Sequence, residues 1–419
     1  MSHSRKSKTS ETVSKKKASR KVRVLRDLGI FGFDHIEPVI LAALITEEPM
    51  LLIGSHGTAK SLLMTRISEA LGLEFRHYNA SLINFDDLIG FPVPSDDGQL
   101  KYVQTPATIW QAETAIFDEI SRCQPEMQNK LFPLVHERKV QGLDLENLRY
   151  RWSAMNPPAD EGGDNGYIGS EPLDSALADR FVFVVRVPSW EQLGQANQRA
   201  IISGKSEHVR NRAGDTLRDC IDRGKALLAT TEKTEKQATA YVQALIPLLA
   251  EAGLDISPRR ARMLCQAILA VRAAASATAD ESDPAKTTLL AVGNALPHRA
   301  EGVSVPEGKL LAAHRTAWEF ASATSDMAII LATRDPRKRA ELALASDTLT
   351  KDELSTIVAD AYPDLEPGAD EAFVAHLFDT GAIGKLNVPV AEQMAEVYAG
   401  IVDASITLTG STSPHIFKT

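Results

Sequence analysis

Between residues 51 and 187, short strand-like stretches alternate five times with helical patterns, and few folds accept that rhythm. The stretches are Leu51-Leu52-Ile53, Phe75–Ala80, Ala115–Ile120, Arg151–Pro157 and Phe181–Val187. Each is short enough for a buried strand. Helical patterns separate them: Leu62, Leu63, Met64, Ile67, Ala70 and Leu71 after the first, and Met127, Leu131, Leu134 and Val135 after the third. A short helix over 173–181 precedes the fifth. Strands joined by helical crossovers predict an α/β fold, a mostly parallel sheet with helices on both faces. Such sheets bind ligands beyond the C-terminal ends of their strands. Three polar groups fall at those ends: the loop Gly54–Ser61, the pair Asp118-Glu119, and Asn156.

The loop reads Gly54-Ser55-His56-Gly57-Thr58-Ala59-Lys60-Ser61. Backbone N–H groups of a tight loop at a helix N-terminus converge on an anion, and the helix dipole adds to the attraction. Lys60 can reach the β- and γ-phosphates of a nucleotide, and the Ser61 hydroxyl can ligate Mg²⁺. The usual pattern has glycine before the lysine; Ala59 stands there instead.

Asp118 can hold Mg²⁺, and Glu119 beside it can deprotonate an attacking water. Asn156 can hydrogen-bond a γ-phosphate or that water, or simply form the turn before Pro157. Arg180 can bridge to Asp174 or Asp179, or act across a subunit boundary on a transferring phosphoryl group. Arg259 and Arg260 follow Ser257-Pro258 at a helix start. One of them can reach a nucleotide; both can equally be helix-surface charge. Asn79 is placed to hydrogen-bond Glu119. The histidines show no metal-ligand spacing.

Two hairpins interrupt the alternation. Phe91–Thr108 carries Pro92, Pro94 and an Asp-Asp-Gly turn at 96–98; Lys139–Tyr150 alternates around Gly142. Asp160–Gly169, with four glycines, reads as a mobile loop. After Trp190 strand signals fade, and 226–252, 259–275, much of 287–321 and most of the rest are helical in pattern.

The chain carries a net charge of −9, unevenly placed. Residues 1–24 hold nine of the 46 basic residues and one of the 55 acidic ones, which leaves 37 and 54. An acidic body with a basic tail argues against a phosphate-tracking surface. The tail lacks apolar periodicity and is expected to be disordered. No apolar run approaches a membrane span. Cys123, Cys220 and Cys265 are widely spaced, which fits a reducing, cytoplasmic setting.

Taken together, the motifs resemble the AAA+ ATPases, and among them the MoxR group. The resemblance rests on Gly57-Thr58-Ala59-Lys60-Ser61, Asp87-Leu88-Ile89-Gly90 with the hairpin after it, Phe117–Arg122, Ala154–Pro157, Leu177–Phe181 and Ser257-Pro258-Arg259. It implies an AAA+ core over 25–190 and a helical lid over 191–322; the basic tail over 1–24 and the helical C-terminal extension over 323–419 lie outside it. It implies that Gly54, His56, Gly57, Thr58, Ala59, Lys60 and Ser61 bind ATP, and that Ser61 and Asp118 hold Mg²⁺. Glu119 becomes the catalytic base, Asn156 the first sensor, Arg180 the arginine finger and Arg259 the second sensor. It also implies a homo-oligomeric, typically hexameric, ring with a chaperone-like role alongside a von Willebrand factor A domain protein. A DNA motor and a nucleotide-gated scaffold are the alternatives.

Overall fold

The computed structural model describes residues 22–96, 100–158, 170–230, 232–278, 282–322 and 325–409. Most of the basic tail, the tip of the turn at 96–98 and the glycine-rich 160–169 lie outside the described residues. The chain divides into two compact units, one ending at His314 and one beginning at Arg315.

The first unit begins with α1 (Val24–Asp27) and α2 (Glu37–Thr46). It continues through β1 (Met50–Ile53), α3 (Lys60–Leu71), β2 (Phe75–Asn79), α4 (Phe85–Ile89), β3 (Phe91–Pro94), β4 (Leu100–Val103) and β5 (Thr114–Asp118). Next come α5 (Pro125–Glu137), β6 (Lys139–Val140), β7 (Leu143–Asp144), β8 (Tyr150–Met155), α6 (Ser175–Ala178) and β9 (Phe183–Arg186). Helices close it: α7 (Gln195–Ile202), α8 (Ala213–Leu228), α9 (Glu232–Glu251), α10 (Pro258–Thr278), α11 (Pro284–Gly293) and α12 (Glu307–Ser322), which runs past the division.

Five strands form one sheet in the order β2-β5-β8-β1-β9, and every pairing is parallel. The expected α/β architecture is present. β5, β8 and β1 are neighbours, so the residues following them emerge side by side. The central strands β1, β5 and β8 are buried almost throughout because both faces are covered, whereas the edge strand β2 (FRHYN) is only partly buried. All six residues of β8 are buried, including Trp152 and Tyr150. Arg151 is buried in it too, its guanidinium donating to the carbonyls of Val135, Glu47 and Arg149. Both expected hairpins form: β3 pairs with β4, and β6 with β7.

α2 is buried over nearly its whole length, as a helix that is apolar all round must be. It packs against α10 and α8. The helical pattern over 226–252 proves to be the end of α8 and then α9, with a break near residue 230. α8 itself, with Leu217, Cys220, Ile221 and Gly224 buried on one face, is longer than its sequence suggested. Gly224 favours the close approach of α8 and α2: a Cβ would lie 2.2 Å from Ile45 Cδ1, so a larger residue would push that side chain aside.

The second unit is helical: α13 (Ser325–Ala332), α14 (Pro336–Ala345), α15 (Lys351–Ala361), α16 (Ala369–Asp379) and α17 (Val388–Thr409). Asp335 caps α14, and Thr350 with Glu353 forms a capping box on α15. Its own core joins Ala340, Val358, Val374, Leu377 and Met394.

Candidate functional site

The chain after β1 makes a tight loop. Gly57 and Ala59 both take left-handed backbone conformations, with φ of 74° and 62°. Ala59 is therefore in the conformation that glycine adopts without steric cost, and carries roughly 1 kcal/mol of strain to hold it. Thr58 Oγ1 closes the turn by donating to the Ser55 carbonyl at 2.7 Å.

Lys60 opens α3 and is 8% exposed. Its ammonium donates to the carbonyls of Gly54 (2.6 Å) and Ser55 (2.8 Å) and to Asn156 Oδ1 (3.4 Å). Burial lowers its pKa, and the carboxylates of Asp118 and Glu119 oppose that. Ser61 Oγ donates to Asp118 Oδ2 at 2.5 Å. His77, from β2, places Nε2 3.5 Å from the same oxygen. Burial alone would raise the Asp118 pKa; hydrogen bonds from His77, Ser61 and the Glu119 amide outweigh it and hold the carboxyl below its usual range. Asp118 is thus an anion at neutral pH, with a hydroxyl beside it. That donor set suits a hard divalent cation with oxygen ligands.

Glu119 adopts φ of 54°, which turns the chain sharply at the strand end. Its carboxylate lies 3.6 Å from Arg122. The Asn79 amide oxygen accepts from the Ser81 amide and hydroxyl at 3.0 and 2.7 Å. The Asn156 carbonyl accepts from Ser170 Oγ, which in turn meets Ser121 Oγ at 3.2 Å.

These groups line one pocket of roughly 810 Å³: Ser55 through Leu62, Asp118, Glu119, Met155 and Asn156. The rest of its lining comes from within 29–33 and 188–193, and from Ile201 and Ser206; it is mostly apolar, with Ser189, Glu191 and Ser206 among it. A cavity of this size that combines a phosphate-type loop with apolar side chains suits a nucleotide's phosphates and base. The apolar part was not read from the sequence. Its one signal was the run Gly29-Ile30-Phe31-Gly32-Phe33. Gly29 has φ of 74°, and a Cβ there would meet Arg66 Nη1 at 2.4 Å and the Ser206 carbonyl at 2.7 Å.

Arg180 and Arg259 are not among the residues lining this pocket. Arg180 donates to the Ala176 carbonyl and lies over the Phe132 ring, 4.4 Å from its centroid. Burial lowers its pKa, and Arg259 nearby adds to that. Arg259 is 3.6 Å from Asp179 and lines a second cavity of roughly 450 Å³ with Ser257, His298 and Glu301. Arg260, beside it in sequence, is 1% exposed and bonds Asp179 and the carbonyls of Phe181, Ala295 and Ala178.

A parallel sheet that brings a phosphate-type loop, an acid pair and an asparagine to adjacent strand ends defines a P-loop nucleotide-binding domain. More narrowly, residues 49–181 match the family model of the AAA domain, dynein-related subfamily. The chain is also similar in fold to a solved structure described as a "putative ATPase" from Cytophaga hutchinsonii. The TM-score is 0.50 at 21% identity, over 70% of this chain and 92% of that one. A search of curated proteins finds no match. No helix among the described residues is long and apolar enough to cross a membrane.

Proposed function

We propose that the chain hydrolyses ATP and does so within a ring of its own copies. The observation that carries this reading is the Ser61–Asp118 hydrogen bond beside a buried Lys60, with Glu119 on the same pocket wall. Ser61 and Asp118 would hold Mg²⁺, which supplies charge neutralisation on the phosphate oxygens. Lys60 exchanges its loop carbonyls for phosphate oxygens. Glu119 accepts the proton of a water whose oxygen bonds to the γ-phosphorus, while the bond from that phosphorus to the bridging oxygen breaks and ADP leaves with the electron pair. Asn156 orients the water or the γ-phosphate. Arg180, which does not line this chain's own pocket, is available to a neighbouring copy's nucleotide, while Arg259, expected as the second sensor, lies against Asp179 in the second cavity.

The resemblance to the MoxR group extends the proposal to remodelling of a protein partner, with a von Willebrand factor A domain protein as the partner class. Nothing in the site selects that class; co-purification with such a protein, dependent on ATP, would support it, and its failure would leave the ATPase reading standing.

The test is turnover by the wild type, Lys60→Ala and Glu119→Gln. Lys60→Ala is expected to lose ATP affinity by more than tenfold. Glu119→Gln is expected to keep binding and lose turnover by roughly 10²–10⁴-fold. A wild type that never turns over, or a Glu119→Gln enzyme at full rate, sinks the assignment.

A further inference from the structure

We propose that Phe132 is the positioning residue for Arg180, a shelf that holds the guanidinium out toward the neighbouring copy; the proposal rests on the ring reading above. Arg180 sits just beyond α6 with its guanidinium carbon 4.4 Å from the Phe132 ring centroid and one nitrogen bonded to the Ala176 carbonyl. A guanidinium over a ring face is attracted by the ring quadrupole. The ring does something an ion pair would not. It fixes the cation's direction without occupying any N–H, so the donors not bonded to Ala176 stay available to phosphate oxygens, whereas a carboxylate would occupy them.

The surrounding charges pull on Arg180 in both directions. Arg259 lies close enough to Arg180 to disfavour its charge. Asp179, the nearest acid in sequence, is already engaged by Arg260 at 3.0 Å and Arg259 at 3.6 Å. Asp174 is occupied in capping α6, accepting from the amides of Ala176 and Leu177. Arg180 is thus repelled by Arg259 and drawn by Asp179, Glu137 and Asp174, of which Asp179 and Asp174 are engaged elsewhere, and the ring adds a hold that has a fixed direction.

The shelf is also rigid, and it is tied to the chain's own site. α5 is anchored by Leu131, Leu134 and Val135, all 0% exposed, and by Gln128 Nε2 donating to the Cys123 carbonyl at 2.9 Å. It follows Asp118-Glu119 through a single 3-10 turn, Ile120–Arg122. The segment that carries the acid pair on one pocket therefore continues into the helix that aims the arginine at the next. Each copy's Arg180 is placed by an element that starts at its own acids.

The experiment compares Phe132→Leu, Phe132→Tyr and Arg180→Ala in the full chain. It reads ATP affinity with a fluorescent nucleotide, kcat, and thermal stability. Phe132→Leu is expected to lower kcat about tenfold while ATP affinity stays within about twofold, the size of one lost cation–π contact of roughly 1.4 kcal/mol. Phe132→Tyr, which keeps the ring face, is expected to match the wild type. The double variant Phe132→Leu with Arg180→Ala should be no slower than Arg180→Ala alone, because both act on one group. Adding Lys60→Ala chains, which cannot hydrolyse but carry an intact Phe132 and Arg180, should raise turnover by Phe132→Leu chains. If Phe132→Leu does not fold, Phe132→Met removes the ring face while conserving much of the volume.

A Phe132→Leu enzyme at wild-type kcat beside a crippled Arg180→Ala overturns the shelf and leaves the ring reading intact. So does a double variant whose losses simply add. Full turnover by Arg180→Ala overturns the reading itself, and the shelf with it.

Discussion

At the scale of single residues, the two ends of the phosphate loop owe their identity to different forces. Ala59 is a backbone matter, an L-residue held at φ of 62°. Gly54 is a packing matter. Its φ lies outside the left-handed region, but a Cβ there would lie 2.1 Å from Val187 Cγ2, at the end of the neighbouring strand. Gly54→Ala is therefore expected to destabilise by about 1–3 kcal/mol through overpacking. Adding Val187→Ala should recover most of that loss. Urea denaturation of the four members of this cycle checks it; strictly additive losses would show that the clash is not the cause.

At the scale of elements, the start of α10 shows why adjacent arginines cannot be ranked from a sequence. Both follow Ser257-Pro258. Both line the second cavity, but Arg259 is half-exposed whereas Arg260 is buried where four carbonyl and carboxylate groups accept from it. Arg260 lost about 99% of its exposure and kept its charge only because those acceptors replace water. Arg260→Ala is expected to cost about 3–5 kcal/mol, since it leaves Asp179 and several buried carbonyls without their donor. Arg259→Ala should change stability by less than about 1 kcal/mol, as for other half-exposed pairs. Equal melting losses for the two would contradict this assignment. The legibility of the sequence followed the same line. Strands β1, β5 and β8 were readable because apolar runs of that length have few alternatives. The apolar part of the pocket was not, because it is assembled from Gly29–Phe33, Trp190, Leu193 and Ile201, segments about 160 residues apart whose side chains look like ordinary core.

At the scale of the whole molecule, the helices after β9 are part of the first unit's packing: α8 and α10 clasp α2 ahead of the first strand. Near the end of that unit, His298 is 5% exposed and its Nδ1 has no hydrogen-bond partner. Burial first, and then Arg299, lower its pKa to about 4. In the unfolded chain it titrates near 6.5. Between these values the unfolded state binds a proton that the native state does not, so stability falls as pH drops from about 6.5 toward 4, by about 3 kcal/mol from this residue. Below 4 both states are protonated and the contribution stops growing. Denaturant unfolding across that range, compared with His298→Gln, checks the slope. An unchanged slope in the variant would place the acid sensitivity elsewhere.

What the sequence determined by itself was the order of strand and helix, the loop from Gly54 to Ser61, and the acids and asparagine that belong near it. Local periodicity and backbone chemistry suffice for those, because each is a property of a contiguous stretch. Only the tertiary structure decided which arginine is buried, where Asn79 spends its hydrogen bonds, what lines the rest of the pocket, and that Arg180 rests on Phe132 away from its own chain's loop. Those facts depend on which distant segments share a surface. The strand order β2-β5-β8-β1-β9 sets that, by placing β8 between the loop strand and the acid strand.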